Sequence, residues 1–395
     1  MKKLCSVFVT VCLLAAVWSV SASASFSVEP AIAAGGNHSV ALAGNGTVWT
    51  FGDNNAGQLG DGTRFRRTIP VRVPELRKVT AIAAGRTHTL ALRSDGTVWS
   101  WGENAHGQLG DGTTVTRTLP VQVQRLENVI AIASHDNHNL ALRSDGTVWA
   151  WGDNGRGQLG DGTLVTRNRP VRVQNLDNVT AIAAGWGHSL ALCDNGSVWA
   201  FGNLQTGALP TQPFDPADVL PRRIDLGNAI AIAAGGTTAV AIRSNGTVWA
   251  WTNGGDEVPA QVRGLNGVTD IAIAADNSIL ARRTDGHLRW SSSPSAQQPP
   301  ATLELENVVA IAANGHSLAL TGDGVVWAWG TNRHGQLGDG SVVCRDTPEP
   351  VQSPFRRGLL NDNVLNLFDT RPWWRRLPGL CQFFFRWLLF GWVWM

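Results

Sequence analysis

Residues 88–110 read HTLALRSDGTVWSWGENAHGQLG and contain the pattern on which the rest of the chain is built. Two runs of strand-forming residues, 90–94 and 97–101, flank the dipeptide Asp95-Gly96, which tolerates the positive φ angles of a tight hairpin turn. Trp99 and Trp101 are two residues apart on the second run, so they project from the same face of a sheet. The segment predicts a β-hairpin whose tryptophan pair packs between sheets.

The same pattern returns along the chain at a fixed interval. The tetrad Gly-x-x-Trp begins at Gly46 and recurs every 50 residues up to Gly246, and two looser copies end at Trp290 and Trp327. Self-similarity at a fixed period is the signature of a repeat architecture. The chain therefore contains seven equivalent units.

Each unit carries two further strand patterns besides the hairpin. An alanine-rich run, such as 81–84, precedes the hairpin and is small enough to lie where strands crowd together. A Pro-Val-x-Val run, such as 70–73, follows it, and proline fits a sheet edge, where its missing N–H costs least. Four short strands in each of seven units predict an all-β fold, a seven-bladed β-propeller.

The two ends of the repeat region predict how the ring closes. The segments 327–352 and 26–49 together amount to nearly one period. We therefore expect one blade to be split, so that the propeller is closed by the N-terminal strand. That strand, near 28–34, would complete the blade that begins at Val325.

The N-terminal segment 1–24 has the composition of a secretory signal peptide. Two lysines precede an apolar run over 4–20, and an Ala-x-Ala cleavage site follows at 22–24. The apolar run is short for an uncleaved membrane anchor. We predict that the mature protein is secreted, or lies in the periplasm or at the cell surface.

The C-terminal tail, residues 353–395, breaks the repeat pattern. It holds eleven of the 30 aromatic residues and six arginines. Its apolar stretch, 380–395, is shorter than the roughly 20 residues of a membrane-spanning helix and contains Arg386. Weak membrane association through an interfacial anchor of tryptophan and arginine is one interpretation. An unfolded extension or a coding artefact is the other.

The charge distribution argues against nucleic acid as a partner. The chain has a formal net charge of +2. Lys2 and Lys3 contribute two positive charges, and six arginines against two aspartates after Ser353 contribute four more, which leaves −4 for the residues between. A phosphate-binding surface needs clustered lysine and arginine on the folded domain. The acidic body predicts no nucleic-acid site.

Repeated polar residues resemble metal or calcium sites but have a simpler explanation. Blades place equivalent histidines around a circle, too far apart for one ion bound at ~2.1 Å, so we expect a structural hydrogen bond at each strand start. Asp53-Asn54-Asn55 and its copies lack EF-hand spacing and are expected to cap turns. No nucleophile elbow, nucleotide loop or catalytic carboxylate pair occurs, so we predict no enzyme, no cofactor and no metal. The histidines are His38, His88, His138, His188 and His316, and the two remaining positions hold Thr238 and Ser278.

Units such as residues 88–110 resemble the regulator of chromosome condensation repeat, whose members form seven-bladed propellers. The resemblance covers about residues 28–352. The first, second, third and seventh units keep the motif Gly-Gln-Leu-Gly-Asp-Gly. The fourth unit has Gly-Ala-Leu-Pro at 207–210 instead, and the fifth and sixth units lose the motif. With its export signal the chain would be a secreted, bacterial-type member of the family. The four motifs begin at Gly57, Gly107, Gly157 and Gly335.

The resemblance implies two classes of function. One is a secreted or envelope-exposed protein-binding propeller that acts as an interaction scaffold or inhibitor, since one member type is a secreted inhibitor of β-lactamases that uses aromatic and acidic loop residues. The other is guanine-nucleotide exchange or regulation of a small GTPase, as in nuclear members. The export signal and the acidic body favour the first class, with another protein as the partner.

The turns between the alanine-rich strand and the histidine position differ among units, and they predict where that partner binds. All of them should emerge on one face, where a rigid scaffold leaves side chains free to vary. Trp186 has no aromatic counterpart in other units, so it is either a binding residue or a cover for a neighbouring blade. The alternative site is the opposite face, expected to carry the Gly-Gln-Leu-Gly turns. The predicted partner-binding residues are Trp186, His135, Asp136, Asn137, Arg86, Thr237 and Asp276.

Overall fold

The protein is a ring of seven four-stranded sheets. The computed structural model describes residues 26–202, 219–252, 259–293 and 301–352. They form 28 β-strands without an α-helix, and the seven sheets are the blades of a β-propeller, as predicted. Within these residues no helix has the length and apolar character needed to span a membrane. The predicted signal peptide, 1–24, and the C-terminal tail, 353–395, lie outside the described residues.

Each sheet consists of four strands that follow one another in the chain. The first three sheets contain β1 (Ala31–Ala34), β2 (His38–Leu42), β3 (Val48–Gly52) and β4 (Arg67–Arg72); β5 (Val79–Ala84), β6 (His88–Arg93), β7 (Val98–Gly102) and β8 (Arg117–Gln122); β9 (Val129–His135), β10 (His138–Arg143), β11 (Val148–Gly152) and β12 (Arg167–Arg172). The fourth and fifth contain β13 (Val179–Ala184), β14 (His188–Cys193), β15 (Val198–Gly202) and β16 (Arg222–Ile224); β17 (Ala229–Gly235), β18 (Thr238–Arg243), β19 (Val248–Thr252) and β20 (Ala260–Gln261). The last two contain β21 (Val268–Ile273), β22 (Ile279–Arg283), β23 (Leu288–Ser291) and β24 (Ala301–Leu303); β25 (Val308–Ala313), β26 (His316–Thr321), β27 (Val326–Gly330) and β28 (Arg345–Pro350).

The alanine-rich strands form the inner wall of the ring. The first strand of every sheet contacts the first strands of both neighbouring sheets, so that the contacts run around a closed circle. Small side chains allow this approach at the axis. The hairpin prediction is also confirmed: Gly96 has φ +76° in the turn between β6 and β7, and a Cβ there would lie 3.2 Å from the backbone of Asn128.

The predicted split blade is wrong. Among the strands of the described residues, β1 pairs with β2 alone, inside the first sheet. β28 completes the last sheet by pairing with β27. Because β28 occupies the outer edge, the last sheet has no position left for an N-terminal strand. Counting from tryptophan to tryptophan placed the repeat boundary inside a sheet, whereas the sheets begin at the alanine-rich strands.

Side-chain packing closes the seam between the first and last sheets. Ile32 and Phe51 of the first sheet share one hydrophobic cluster with Leu318 and Leu337 of the last. The Ser39 hydroxyl donates to the Gln336 carbonyl at 2.7 Å. The seam therefore repeats a contact that other blades also make.

This contact comes from the Gly-Gln-Leu-Gly-Asp-Gly loop, which reaches from one sheet to the next. The carbonyl of Gln58 in the first sheet's loop accepts hydrogen bonds from the Thr89 hydroxyl at 2.8 Å and the Trp101 indole at 2.9 Å in the second sheet. Gln108 repeats this link, accepting from Asn139 at 2.8 Å and Trp151 at 3.0 Å. The motif thus joins neighbouring blades at its four positions.

A buried asparagine holds each of these loops in shape. The Asn104 amide donates to the Thr113 and Val115 carbonyls, both at 3.1 Å, and its oxygen accepts from the Leu109 N–H at 2.9 Å. Asp53 caps its own turn, accepting from the Asn54 N–H at 2.9 Å and the Gln58 amide at 3.0 Å. These contacts are the turn capping that the sequence predicts.

The two members of each aromatic pair have different surroundings. The second member is fully buried between sheets, as predicted, in Phe51, Trp101, Trp151 and Phe201. The first member is only half-buried; the ring of Trp149, for example, lies under the Arg143 guanidinium, 5.8 Å from its centroid. The expectation that both members pack between sheets therefore holds fully only for the second.

Candidate functional site

The variable turns surround one mouth of the central channel. His38 at the start of β2 pairs with Gly52 at the end of β3, so the β1–β2 turn and the β3–β4 loop emerge at the same face. The Asp53 N–H donates to the Asn37 carbonyl at 2.9 Å. The Gly-Gln-Leu-Gly turns therefore lie on the face of the variable turns. Their predicted placement on the opposite face is wrong, because β3 runs antiparallel to β2.

A cavity of about 460 Å³ lies between these turns. Every blade contributes to its wall, mostly through glycine backbone and short side chains. Around the ring the lining residues are Gly36, Asn37, Arg86, Thr87, His135, Asp136, Trp186, Gly236, Ala275, Asn314 and Gly315.

Four of the seven predicted partner-binding residues line this cavity: Trp186, His135, Asp136 and Arg86. Three do not. The Asn137 carbonyl accepts from the Asp153 N–H at 3.0 Å, and the Thr237 N–H donates to the Asn277 side chain at 2.8 Å. Asp276 caps the Ser278 N–H at 2.9 Å and lines an adjoining cleft of about 340 Å³ between the last two sheets, which shares Asn314 and Gly315 with the cavity.

The cavity wall also contains small residues that were not among the predicted partner-binding residues. Gly36, Gly236 and Gly315 offer backbone and no distinctive side chain, so only their position in the repeat could have marked them. Gly315 approaches the first blade so closely that a Cβ would lie 2.0 Å from the Gly36 carbonyl oxygen. These glycines let the turns of the first, fifth and seventh sheets lie against a neighbouring turn.

Backbone hydrogen bonds tie neighbouring turns together. The Gly36 N–H donates to the Arg86 carbonyl at 3.2 Å, and the Arg86 N–H to the Asp136 carbonyl at 2.9 Å. The Trp186 N–H donates to the Gly236 carbonyl at 2.8 Å. The side chains that project from these turns are therefore attached to backbone that is hydrogen-bonded to a neighbouring turn.

Trp186 is an exposed aromatic side chain at the cavity wall. Its relative exposure is 45%, and it belongs to none of the hydrophobic clusters of the described residues. The Arg156 guanidinium lies 4.9 Å from the ring centroid, a distance at which a cation is attracted to the ring face. Because the ring covers no neighbouring blade core, its packing role is small.

The cavity wall also holds ionisable groups with shifted pKa values. Burial raises the pKa of the Asp136 carboxyl, and the positive charge of Arg86 opposes that shift. Burial lowers the pKa of His135 to about 4, so its imidazole is neutral near pH 7. Neither ring nitrogen of His135 has a hydrogen-bond partner among the described residues.

Four of the five repeated histidines form the structural hydrogen bonds that the sequence predicts. The exception is His188, because neither of its ring nitrogens has a hydrogen-bond partner among the described residues. His38 Nε2 bonds the Thr89 hydroxyl at 2.9 Å, and His138 Nε2 bonds the Ser189 hydroxyl at 2.9 Å. The Thr89 hydroxyl gives its only proton to the Gln58 carbonyl, so His38 is the donor through Nε2–H. Among the described residues no group of three or more His, Cys, Asp or Glu is arranged to hold a metal ion.

Solved structures of other proteins have a similar architecture. Prp20p from Saccharomyces cerevisiae, whose binding to Gsp1p and histones has been described, has a TM-score of 0.67 at 22% identity, over 77% of this chain and 85% of that one. Human WBSCR16 has a TM-score of 0.67 at 23% identity, over 78% of this chain and 94% of that one. Yeast RCC1 (Prp20), solved bound to Kap60, has a TM-score of 0.68 at 20% identity, over 84% of this chain and 86% of that one. No curated protein sequence matches closely enough to indicate a relative. At these identities the structures share the fold.

The family assignment comes from the sequence model of the RCC1-like domain. That model matches residues 27–364, which include all seven sheets. The resemblance carried by the 50-residue repeats is thereby confirmed, and the chain belongs to the RCC1-like domain family.

Proposed function

We propose that this protein binds another protein through the face on which the variable turns surround the channel. Trp186 carries the proposal, because it is exposed, lies at a cavity and contributes to no hydrophobic cluster of the described residues. Tryptophan and arginine are the residue types that dominate binding energy at protein interfaces. Arg86 and Arg156 lie on the same face, Arg156 against the Trp186 ring.

The linked turns support binding of a folded partner. Ordering loops on association costs free energy, and a frame that is already ordered avoids that cost. The Arg86–Asp136 and Trp186–Gly236 backbone bonds provide such order before binding. The cavity, about 460 Å³, has room for one large side chain or a loop tip of the partner.

We place this activity outside the cytoplasm, as an interaction scaffold or an inhibitor. The Ala-x-Ala site at 22–24 supports export. The mature chain should begin at Ser25, and mass spectrometry of the N-terminus of secreted or envelope protein checks this. Recovery of the full-length chain from cytosol would contradict export. A nucleotide-exchange assay on small GTPases tests the alternative function, and we expect no stimulation.

The binding site is tested by capturing a partner from secreted and envelope fractions and measuring its affinity for variants. Trp186→Ala should weaken binding by about 2 kcal/mol or more, the range for an interface tryptophan, with an unchanged melting temperature. Arg156→Ala should weaken it less. Arg143→Ala is the matched control, since Arg143 stacks on Trp149 at the opposite face. Equal effects of the two arginine substitutions, or normal binding by Trp186→Ala, would place the site elsewhere.

A further inference from the structure

A second large groove lies on the opposite face of the ring, between the first and second sheets. Its volume is about 560 Å³. One wall is the connection 74–78 between β4 and β5, and the other is formed by side chains of the second sheet. This groove is separate from the channel mouth, because it lies beside the hairpin turn that follows β6: the Ser94 N–H donates to the Lys78 carbonyl at 2.9 Å. The second-sheet residues of the wall are Arg93, Trp99, Leu119 and Pro120.

The neighbouring junction shows why the groove is open here. Between the second and third sheets, Arg169 Nε donates to the Gln124 side-chain oxygen at 3.2 Å, so a polar bridge crosses the space. Fifty residues earlier, the equivalent positions are Leu119 and Pro74. Neither can form the bridge, and both add apolar surface to the groove.

The fold does not require this pair of residues. Both junctions keep the buried leucine of the connection, Leu76 in one and Leu126 in the other. Both also keep an arginine over the half-buried tryptophan, with Arg93 and Trp99 at 5.8 Å in the first. The scaffold is thus the same, and only the groove surface differs.

The rim of the groove is cationic. Arg77 and Lys78 are exposed and form no ion pair with the described residues, whereas the next junction has Glu127 and Asn128 at these positions. Among the described residues of the lining, Glu75 is the one carboxylate, and Arg93 is already paired with Asp95 at 3.3 Å. The two free cations above an apolar floor complement a ligand that carries both carboxylates and apolar side chains.

We propose that this groove binds an extended acidic segment of a partner protein, with an apolar side chain against Trp99 and Leu119 and carboxylates at Arg77 and Lys78. Charge excludes this chain's own C-terminal tail as the occupant, because the tail carries six arginines against two aspartates. The site is independent of Trp186.

The test uses fluorescence anisotropy of a labelled Glu-Leu repeat octapeptide on the protein, with the Lys-Leu octapeptide as the charge control. The acidic peptide should bind saturably and the basic one should not. Arg77→Glu with Lys78→Asn, which installs the residue types of the next junction, should weaken binding about tenfold, because three units of charge at an exposed rim change.

A second variant tests the groove without altering its rim charges at 77 and 78. Pro74→Gln with Leu119→Arg rebuilds the bridge of the next junction. It should abolish saturable binding although it adds one positive charge, because the bridge removes the apolar floor; thermal melts check that the variant folds. If the acidic peptide does not bind at millimolar concentration, or binds the bridged variant as it binds the parent, the proposal is wrong. Phosphatidylglycerol vesicles form a separate arm: binding of vesicles but not peptide through Arg77 and Lys78 would replace the acidic segment with a lipid surface.

Discussion

Buried histidines should make the propeller unfold steeply in mild acid. Six imidazoles are nearly inaccessible to water, and burial lowers their pKa values to about 3 or about 4 from 6.5. In His38 and His138, Nε2 donates a hydrogen bond while Nδ1 has no partner among the described residues. Protonation would put an unpaired charged N–H at Nδ1. The six are His38, His88, His135, His138, His188 and His316.

The sign and size follow from proton binding. Below pH 6.5 the histidines of the unfolded chain bind protons, whereas those of the folded protein do not bind them until about pH 4. The free energy of unfolding therefore falls as pH falls through this range. At pH 5 each histidine lowers the free energy of unfolding by about 2 kcal/mol. The six together lower it by about 12 kcal/mol, which is comparable with the whole stability of a typical domain. The slope near pH 5 should approach about 8 kcal/mol per pH unit. The loop aspartates Asp61, Asp111, Asp161 and Asp339 have pKa values lowered from 3.8 and contribute only at more acidic pH.

Urea unfolding between pH 7.5 and 5 measures this slope. His138→Thr installs the residue that the fifth sheet carries at the equivalent, fully buried position, Thr238, and should reduce the slope by about 1.4 kcal/mol per pH unit, one proton. His287→Thr is the matched control, because this side chain is exposed. A stability that is flat between pH 7 and 5, or equal slopes in both variants, would refute the argument.

Three further predictions concern the scaffold and its end. Trp151→Ala should lose about 3–5 kcal/mol of stability, since the side chain is fully buried, whereas Trp149→Ala should lose about 1–2 kcal/mol because half-buried surface contributes less; equal losses in urea unfolding would contradict this packing difference. Asn104→Ala should lower the free energy of unfolding by about 2–4 kcal/mol, because it leaves buried polar groups of the loop unpaired. A loss below about 0.5 kcal/mol would show that the loop keeps its conformation without this side chain. Truncation before Ser353 should leave the melting temperature nearly unchanged and reduce liposome binding; equal liposome binding by both forms would exclude the tail as an anchor.

The candidate site was only partly predictable from the chain. Trp186 stood out because the other units have no aromatic residue at that turn, and the structure places it at the channel mouth. Asn137, Thr237 and Asp276 occupy turns of the same kind, yet their polar groups are used within the turns or outside the cavity. The direction of a turn's side chain depends on neighbouring blades, which lie about 50 residues away in sequence.

The repeat itself determined the blade count and the all-β class, because strand alternation, Asn-Gly or Asp-Gly turns and the spacing of the tryptophans are local properties. Ring closure was decided by tertiary structure: β28 occupies the last outer edge, so β1 stays with β2 and the seam is held by the cluster around Phe51 and Leu337. The groove beside Trp99 likewise depends on tertiary structure, because Pro74 and Leu119, which help to line it, are 45 residues apart in the chain. Local patterns specify strands and turns, but which edges and walls meet depends on contacts between distant segments.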